Sequence, residues 1–139
     1  VSLEKAGLNS YAGLKACMND AGFYSEMLRE FCITSENKIA ELDDYAESQS
    51  WKKYRLNIHS FKSLSDVIGA EKISEMLRKL EDAARSCDID YITENHGIMT
   101  EEIASTVKKK GVGGLGARQA FLTKYDGISA EGLGKLEQR

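Results

Sequence analysis

The chain has 139 residues, 42% of them hydrophobic and 29% charged, with a formal net charge of −3. That length suits one domain with a single core, and without an apolar run of about eighteen residues the chain holds no membrane span. The mild negative charge leaves no electrostatic footprint for nucleic acid, and the complete absence of proline, the strongest breaker of helix interiors, favours a helical reading.

Near the start, Leu3, Leu14, Ala16 and Met18 are available for packing, and a short helix is expected over Ser10 to Cys17. Asn19 or Asp20 then reads as an N-cap. From Ala21 to Ser48 the residues Phe23, Met27, Leu28, Phe31, Ile39, Leu42 and Tyr45 form one apolar stripe at helical spacing. Thr34 and Ser35 invite a bend there but not a break. Ser50 reads as the N-cap of a helix over Trp51 to Ile68, closed by Gly69 in the position after a helix that glycine favours. A third long helix spans Ala70 to Ser86, with Ile73, Met76, Leu77, Leu80 and Ala84 on one face. Asp88 caps a fourth, from Ile89 to about Lys109, carrying Tyr91, Ile92, Ile98, Ile103 and Val107. Gly97 weakens it by roughly 1 kcal/mol relative to alanine, and Lys108 to Lys110 suit a helix C-terminus. No segment alternates with period two. The expected fold is all-α, an antiparallel up-and-down four-helix bundle over residues 1–110 with a short extra N-terminal helix. Residues 111–139 hold seven of the twelve glycines and read as a tail, with a short helix around Ala117 to Tyr125.

The second long helix has two faces. Tyr54, Ile58, Phe61, Ser65 and Ile68 form its buried stripe, whereas His59, Lys62, Ser63 and Asp66 recur at i, i+3, i+4 and i+7 on a polar face. A neutral imidazole has a proton-free nitrogen near pH 7 and is a good nucleophile. Its attack on a phosphoryl group spreads charge over oxygens that a cation on Lys62, one turn on, can meet. Ser63 leaves room for an approaching partner, and its hydroxyl can donate a hydrogen bond. Asp66 is placed to pair with Lys62 across one turn. Spacing alone does not separate this site from an ordinary solvated face.

The run from His59 to Ala70, HSFKSLSDVIGA, resembles the signature of histidine-containing phosphotransfer (HPt) domains. The matching positions are His59, Phe61, Lys62, Ser63, Ser65, Ile68, Gly69 and Ala70, while Leu64 and Asp66 are less typical. FYSEMLREF before it and LRKLEDAARSCDIDYI after it resemble that family's flanking helices, so the likeness covers most of residues 1–107. The resemblance implies a four-helix bundle in a multistep phosphorelay. His59 would accept a phosphoryl group from a receiver-domain aspartate and pass it to another, with Lys62 stabilising it and Ser63 as the small neighbour. It implies no kinase activity, no cofactor or metal in this chain, and Mg²⁺ in the partner receiver. Ile58, Phe61 and part of the opposing helix are expected to form an apolar collar, with Ile58, Lys62, Ser63 and Asp66 as partner-binding residues. The alternative is a docking module that binds a receiver or kinase through the same face without being phosphorylated. A plain structural bundle is a third reading.

The remaining motifs read as ordinary structure. Gly111 to Gly116 satisfy GxGxxG, but a dinucleotide site needs a preceding strand that an all-helical chain lacks. His96 reads as a helix-surface histidine, and His59 and His96 share no metal-binding spacing. Glu101 and Glu102 read as a solvated face, and Trp51 as a packing anchor. Cys17, Cys32 and Cys87 form no CxxC pair and read as reduced thiols of a cytoplasmic monomer. The start, VSLEKAGLNS, has no signal-peptide pattern and no initiator methionine. It is read as a piece of a longer protein, such as the carboxy-terminal part of a hybrid sensor kinase, with a separate relay protein as the alternative.

Overall fold

The computed structural model describes residues 3, 4 and 7–108. Five helices, α1 (Ser10–Ala16), α2 (Ala21–Glu47), α3 (Trp51–Val67), α4 (Glu71–Arg85) and α5 (Ile89–Lys108), account for nearly all of them, and there is no strand among the described residues. The expected all-α architecture with a short N-terminal helix is what forms. Side-chain pairs fix the direction of neighbouring helices. Lys38 with Ser60 and Glu41 with Asn57 run α2 against α3, Lys62 with Glu81 and Asp66 with Ser74 run α3 against α4. The bundle is up-and-down, and α3 packs between α2 and α4.

The helix ends follow local chemistry. Asp20, rather than Asn19, caps α2 by accepting from the Phe23 amide at 3.0 Å, and Asp88 accepts from the Tyr91 amide at 3.1 Å at the start of α5. Ser50 precedes α3 as expected, but its hydroxyl pairs with that of Ser48 at 2.8 Å and caps nothing. α2 is continuous through Thr34 and Ser35, whose hydroxyls donate back to the carbonyls of Glu30 and Cys32 within the helix.

The core is built from fully buried Tyr24, Leu28, Phe31 and Leu42 of α2, Tyr54, Ile58 and Phe61 of α3, Leu77 and Leu80 of α4, and Ile92, Met99 and Ile103 of α5. Each large apolar side chain so buried contributes on the order of 1.5–3 kcal/mol. The α2 stripe is one position out of the expected register at its start. Phe23 is half exposed and Tyr24 is buried, because Tyr24 can both fill the core and donate its hydroxyl to the Ile68 carbonyl at 2.8 Å. Ile98, Ala16 and Met18 also lie outside the core.

The N-terminal segment crosses the end of the bundle at the turn after α3. The Asn9 amide donates to the Gly69 carbonyl at 2.8 Å. Gly69 has φ +78°, and a Cβ there would lie 2.1 Å from the Asn9 carbonyl oxygen. Only glycine satisfies both the left-handed backbone and this approach. The same turn fixes where α3 ends, and so the rotation of its polar face relative to α4.

The GxGxxG run, the expected helix over Ala117 to Tyr125 and the basic residues beyond Lys108 lie outside the described residues.

Candidate functional site

α3 has a uniform helical interior, so its rotation is set by its buried stripe. With Tyr54, Ile58, Phe61 and Ser65 turned into the core, His59 and Lys62 are carried to the side facing α4. The His59 side chain stays 59% exposed, yet its Nδ1 lies 2.6 Å from Oε2 of Glu81. Lys62 Nζ donates to the other oxygen of that carboxylate, Oε1, at 3.0 Å.

Glu81 is the residue that the sequence reading missed. It sits on the buried face of α4 between Leu77, Leu80 and Ala84, with only 5% of its side chain exposed. Burial pushes its carboxyl upward, but the hydrogen bonds from Lys62 and His59 and the charges behind them outweigh that and hold it below the ordinary carboxylate value. An ionised carboxylate accepts only, so the proton between it and His59 belongs to Nδ1. In the neutral ring Nε2 then carries the lone pair, and it has no partner among the described residues. The arrangement is a nucleophile whose tautomer is set by a buried carboxylate that is itself neutralised by a lysine.

The structure assembles His59 and Lys62 as expected and rearranges the rest. Asp66 does not pair with Lys62. It accepts from the Ser74 hydroxyl of α4, which leaves the Lys62 ammonium to Glu81. Ser63 is exposed and offers no bulk, but its hydroxyl donates to the His59 carbonyl at 3.1 Å, one turn back, rather than outward. Ile58 and Phe61, expected in an apolar collar with Ile58 at a partner, are instead fully buried on the core side of α3 and present no surface here. The apolar side chain that is exposed one turn before His59 is Leu56. On the α2 side, Lys38 Nζ lies 3.4 Å from the Ser60 hydroxyl and 5.9 Å from the centre of the Phe61 ring.

His96 is not a surface histidine. Its side chain is 15% exposed, with Nδ1 2.9 Å from the Tyr54 hydroxyl and Nε2 2.6 Å from Asp43 Oδ1. It ties α2, α3 and α5 together and has no ring nitrogen to spare. The described residues contain no group of three side chains able to hold a metal ion, and no helix among them is long and apolar enough to cross a membrane. Glu101 is solvated as expected, and Glu102 pairs with Lys72 at 3.5 Å.

The model of the Hpt domain family matches residues 26–106, which is more than half of the chain. The chain belongs to the Hpt domain family. No curated protein and no solved structure matches it. Hpt domains are phosphotransfer modules of two-component signalling, not kinases, and their partners are receiver domains. The match begins inside α2 and ends inside α5, so the matched region includes His59, Lys62 and Glu81.

Proposed function

We propose that His59 is the phosphoryl acceptor of this Hpt domain, taking the group from a receiver-domain aspartate onto Nε2 and passing it to another receiver. The observation that carries this reading is the hydrogen bond from Nδ1 to a buried carboxylate beside an otherwise exposed ring. It leaves one nitrogen nucleophilic, fixed in direction and open to a second protein. In the transfer, the Nε2 lone pair forms the N–P bond. The P–O bond to the receiver's aspartate breaks and its electron pair stays on that carboxylate. Nδ1 keeps its proton, so the ring becomes positively charged as the bond forms. Glu81 faces that charge and stabilises it, much as a buried carboxylate steadies an imidazolium in acyl-transfer sites. Lys62, one turn on and partly exposed, offers a cation to the phosphoryl oxygens. Passing the group on is the same step reversed.

This reading takes the Hpt domain as a monomer, since no second copy is needed to complete the site. The Mg²⁺ that receiver chemistry requires is assigned to the partner, as is the aspartate. Whether the domain stands alone or belongs to a hybrid kinase does not alter the local chemistry. Ser63 serves by its small size, and Leu56, Lys38 and Ser60 lie on the surface that a docking receiver covers.

The test is phosphotransfer from receiver domains charged with acetyl phosphate to wild type and to His59→Gln. The expected result is an acid-labile, base-stable phosphoryl group on wild type alone. Binding of a receiver to both proteins with transfer to neither would overturn the reading in favour of a docking module.

A further inference from the structure

The exposed side of α4 carries a ladder of alternating charge that ends at the histidine. Arg78 Nε donates to Glu75 at 2.9 Å, and its Nη1 donates to Asp82 Oδ2 at 3.0 Å. Arg85 Nη1 donates to the other oxygen of Asp82, Oδ1, at 3.2 Å. Its Nη2 lies 3.7 Å from Glu81 Oε2, the same oxygen that holds His59 Nδ1. Arg85 and His59 therefore meet at one atom. The Arg85 side chain is 57% exposed, and its approach to Glu81 is too long to be a hydrogen bond.

Two features make this arginine easy to redirect. Asp82 is already held by Arg78, so losing Arg85 leaves no unpaired carboxylate. Glu81 is already satisfied by Lys62 and His59, so it gives up only a loose electrostatic contact. A phosphoryl group on the neighbouring ring brings close to two negative charges and three acceptor oxygens. A guanidinium fork matches those oxygens two at a time, which an ammonium cannot.

We infer that Arg85 is a second phosphoryl-binding cation. When His59 carries the group, its guanidinium turns from Asp82 to the phosphoryl oxygens. This inference rests on the proposed role of His59 and adds to it a residue from α4. The fixed lysine then serves Glu81 and the incoming group, and the mobile arginine closes over the group. The ladder gives the direction of a further effect: Asp82 competes with the phosphoryl group for Arg85, so its removal favours the phosphorylated state.

The experiment charges wild type with phosphoramidate and compares side-chain ¹⁵N spectra of the arginines before and after. The expected result is a shifted, slowly exchanging Arg85 Nε–H signal with that of Arg78 little changed. In parallel, the equilibrium of phosphoryl exchange with a receiver is measured for Arg85→Gln, Arg85→Lys, Arg78→Gln and Asp82→Asn. Arg85→Gln should lower the phosphohistidine fraction constant about threefold, with Arg85→Lys in between, as befits an exposed cation. Asp82→Asn should raise it, and Arg78→Gln, which leaves Asp82 to Arg85 alone, should lower it less than Arg85→Gln does. A phosphohistidine that forms normally with an unmoved Arg85 signal and an unchanged Arg85→Gln equilibrium would overturn this inference alone. A wild type that takes no phosphoryl group from phosphoramidate or any receiver would overturn it together with the role of His59.

Discussion

Two histidines in this bundle are each held by a carboxylate at 2.6 Å, and they are arranged oppositely. At His59 the ring is 59% exposed and its carboxylate, Glu81, is 5% exposed; at His96 the ring is 15% exposed and its carboxylate, Asp43, is 57% exposed. His59 spends one ring nitrogen and keeps the other. His96 spends both, the second on the Tyr54 hydroxyl. A buried carboxylate is rigid and poorly solvated, so it can direct an exposed ring and sense its charge. An exposed carboxylate at the end of a buried ring does neither; there the ring is a fastener between helices. The pair type is the same, and burial decides which ring keeps an exposed nitrogen.

The comparison can be broken most sharply at the carboxylates. Glu81→Gln should slow phosphotransfer to His59 by about 30-fold, because a neutral amide neither fixes the tautomer nor stabilises the ring charge. Asp43→Asn should leave the transfer rate within about twofold of wild type. Single-turnover transfer from a charged receiver measures both. Equal losses in the two variants would remove the distinction drawn here.

Stability should respond the other way round. Tyr54→Phe deletes the partner of a largely buried ring nitrogen and should cost about 1–2 kcal/mol in urea unfolding. His59→Gln should cost under about 1 kcal/mol, since Glu81 keeps Lys62 and the histidine is exposed. A His59 variant that unfolds as readily as the Tyr54 variant would mean that the first site is as structural as the second.

Acid should distinguish them again. The Glu81 carboxyl is depressed in the folded state, so it contributes stability that is present above its unfolded value and is lost as pH falls through its folded value. The loss therefore begins below the ordinary value of 4.5. Glu81→Gln should flatten the stability profile in that range, by an amount on the order of 1 kcal/mol or less. An unchanged acid limb would remove Glu81 as its cause. No effect on transfer is expected at Gly97, beside His96, where an added Cβ meets nothing within 4 Å. Gly97→Ala should stabilise α5 by about 1 kcal/mol, read as a raised Tm, without altering transfer.

Much of this was legible in the chain itself. The spacing of Tyr54, Ile58, Phe61 and Ser65 placed His59 and Lys62 on a common face, and Gly69 marked the end of α3. What escaped was contact between helices. Glu81 lies 22 positions from His59, and a reading confined to one helix assigned Lys62 to Asp66 instead. A signal was present, however: Leu77, Leu80, Glu81 and Ala84 share one stripe, and a carboxylate on an apolar stripe requires a partner. His96 gave the same signal between Ile92 and Met99 and was also passed over. Ile58 was assigned both to the buried stripe and to a surface collar, which a single helix rotation cannot satisfy. The register shift from Phe23 to Tyr24 also had a signal, since Tyr24 stands four and seven residues before the buried Leu28 and Phe31; only its bond to a carbonyl at the far end of α3 could not be read.

The central claim is that His59 Nε2 receives the phosphoryl group while Nδ1 keeps its proton on Glu81. The most direct measurement is ¹H–¹⁵N NMR of the histidine rings after transfer from a charged receiver. The account predicts a phosphorus coupling at Nε2 of His59, a retained proton at Nδ1, and no phosphoryl group on His96. Phosphorus at Nδ1 of His59, or on His96, would contradict it.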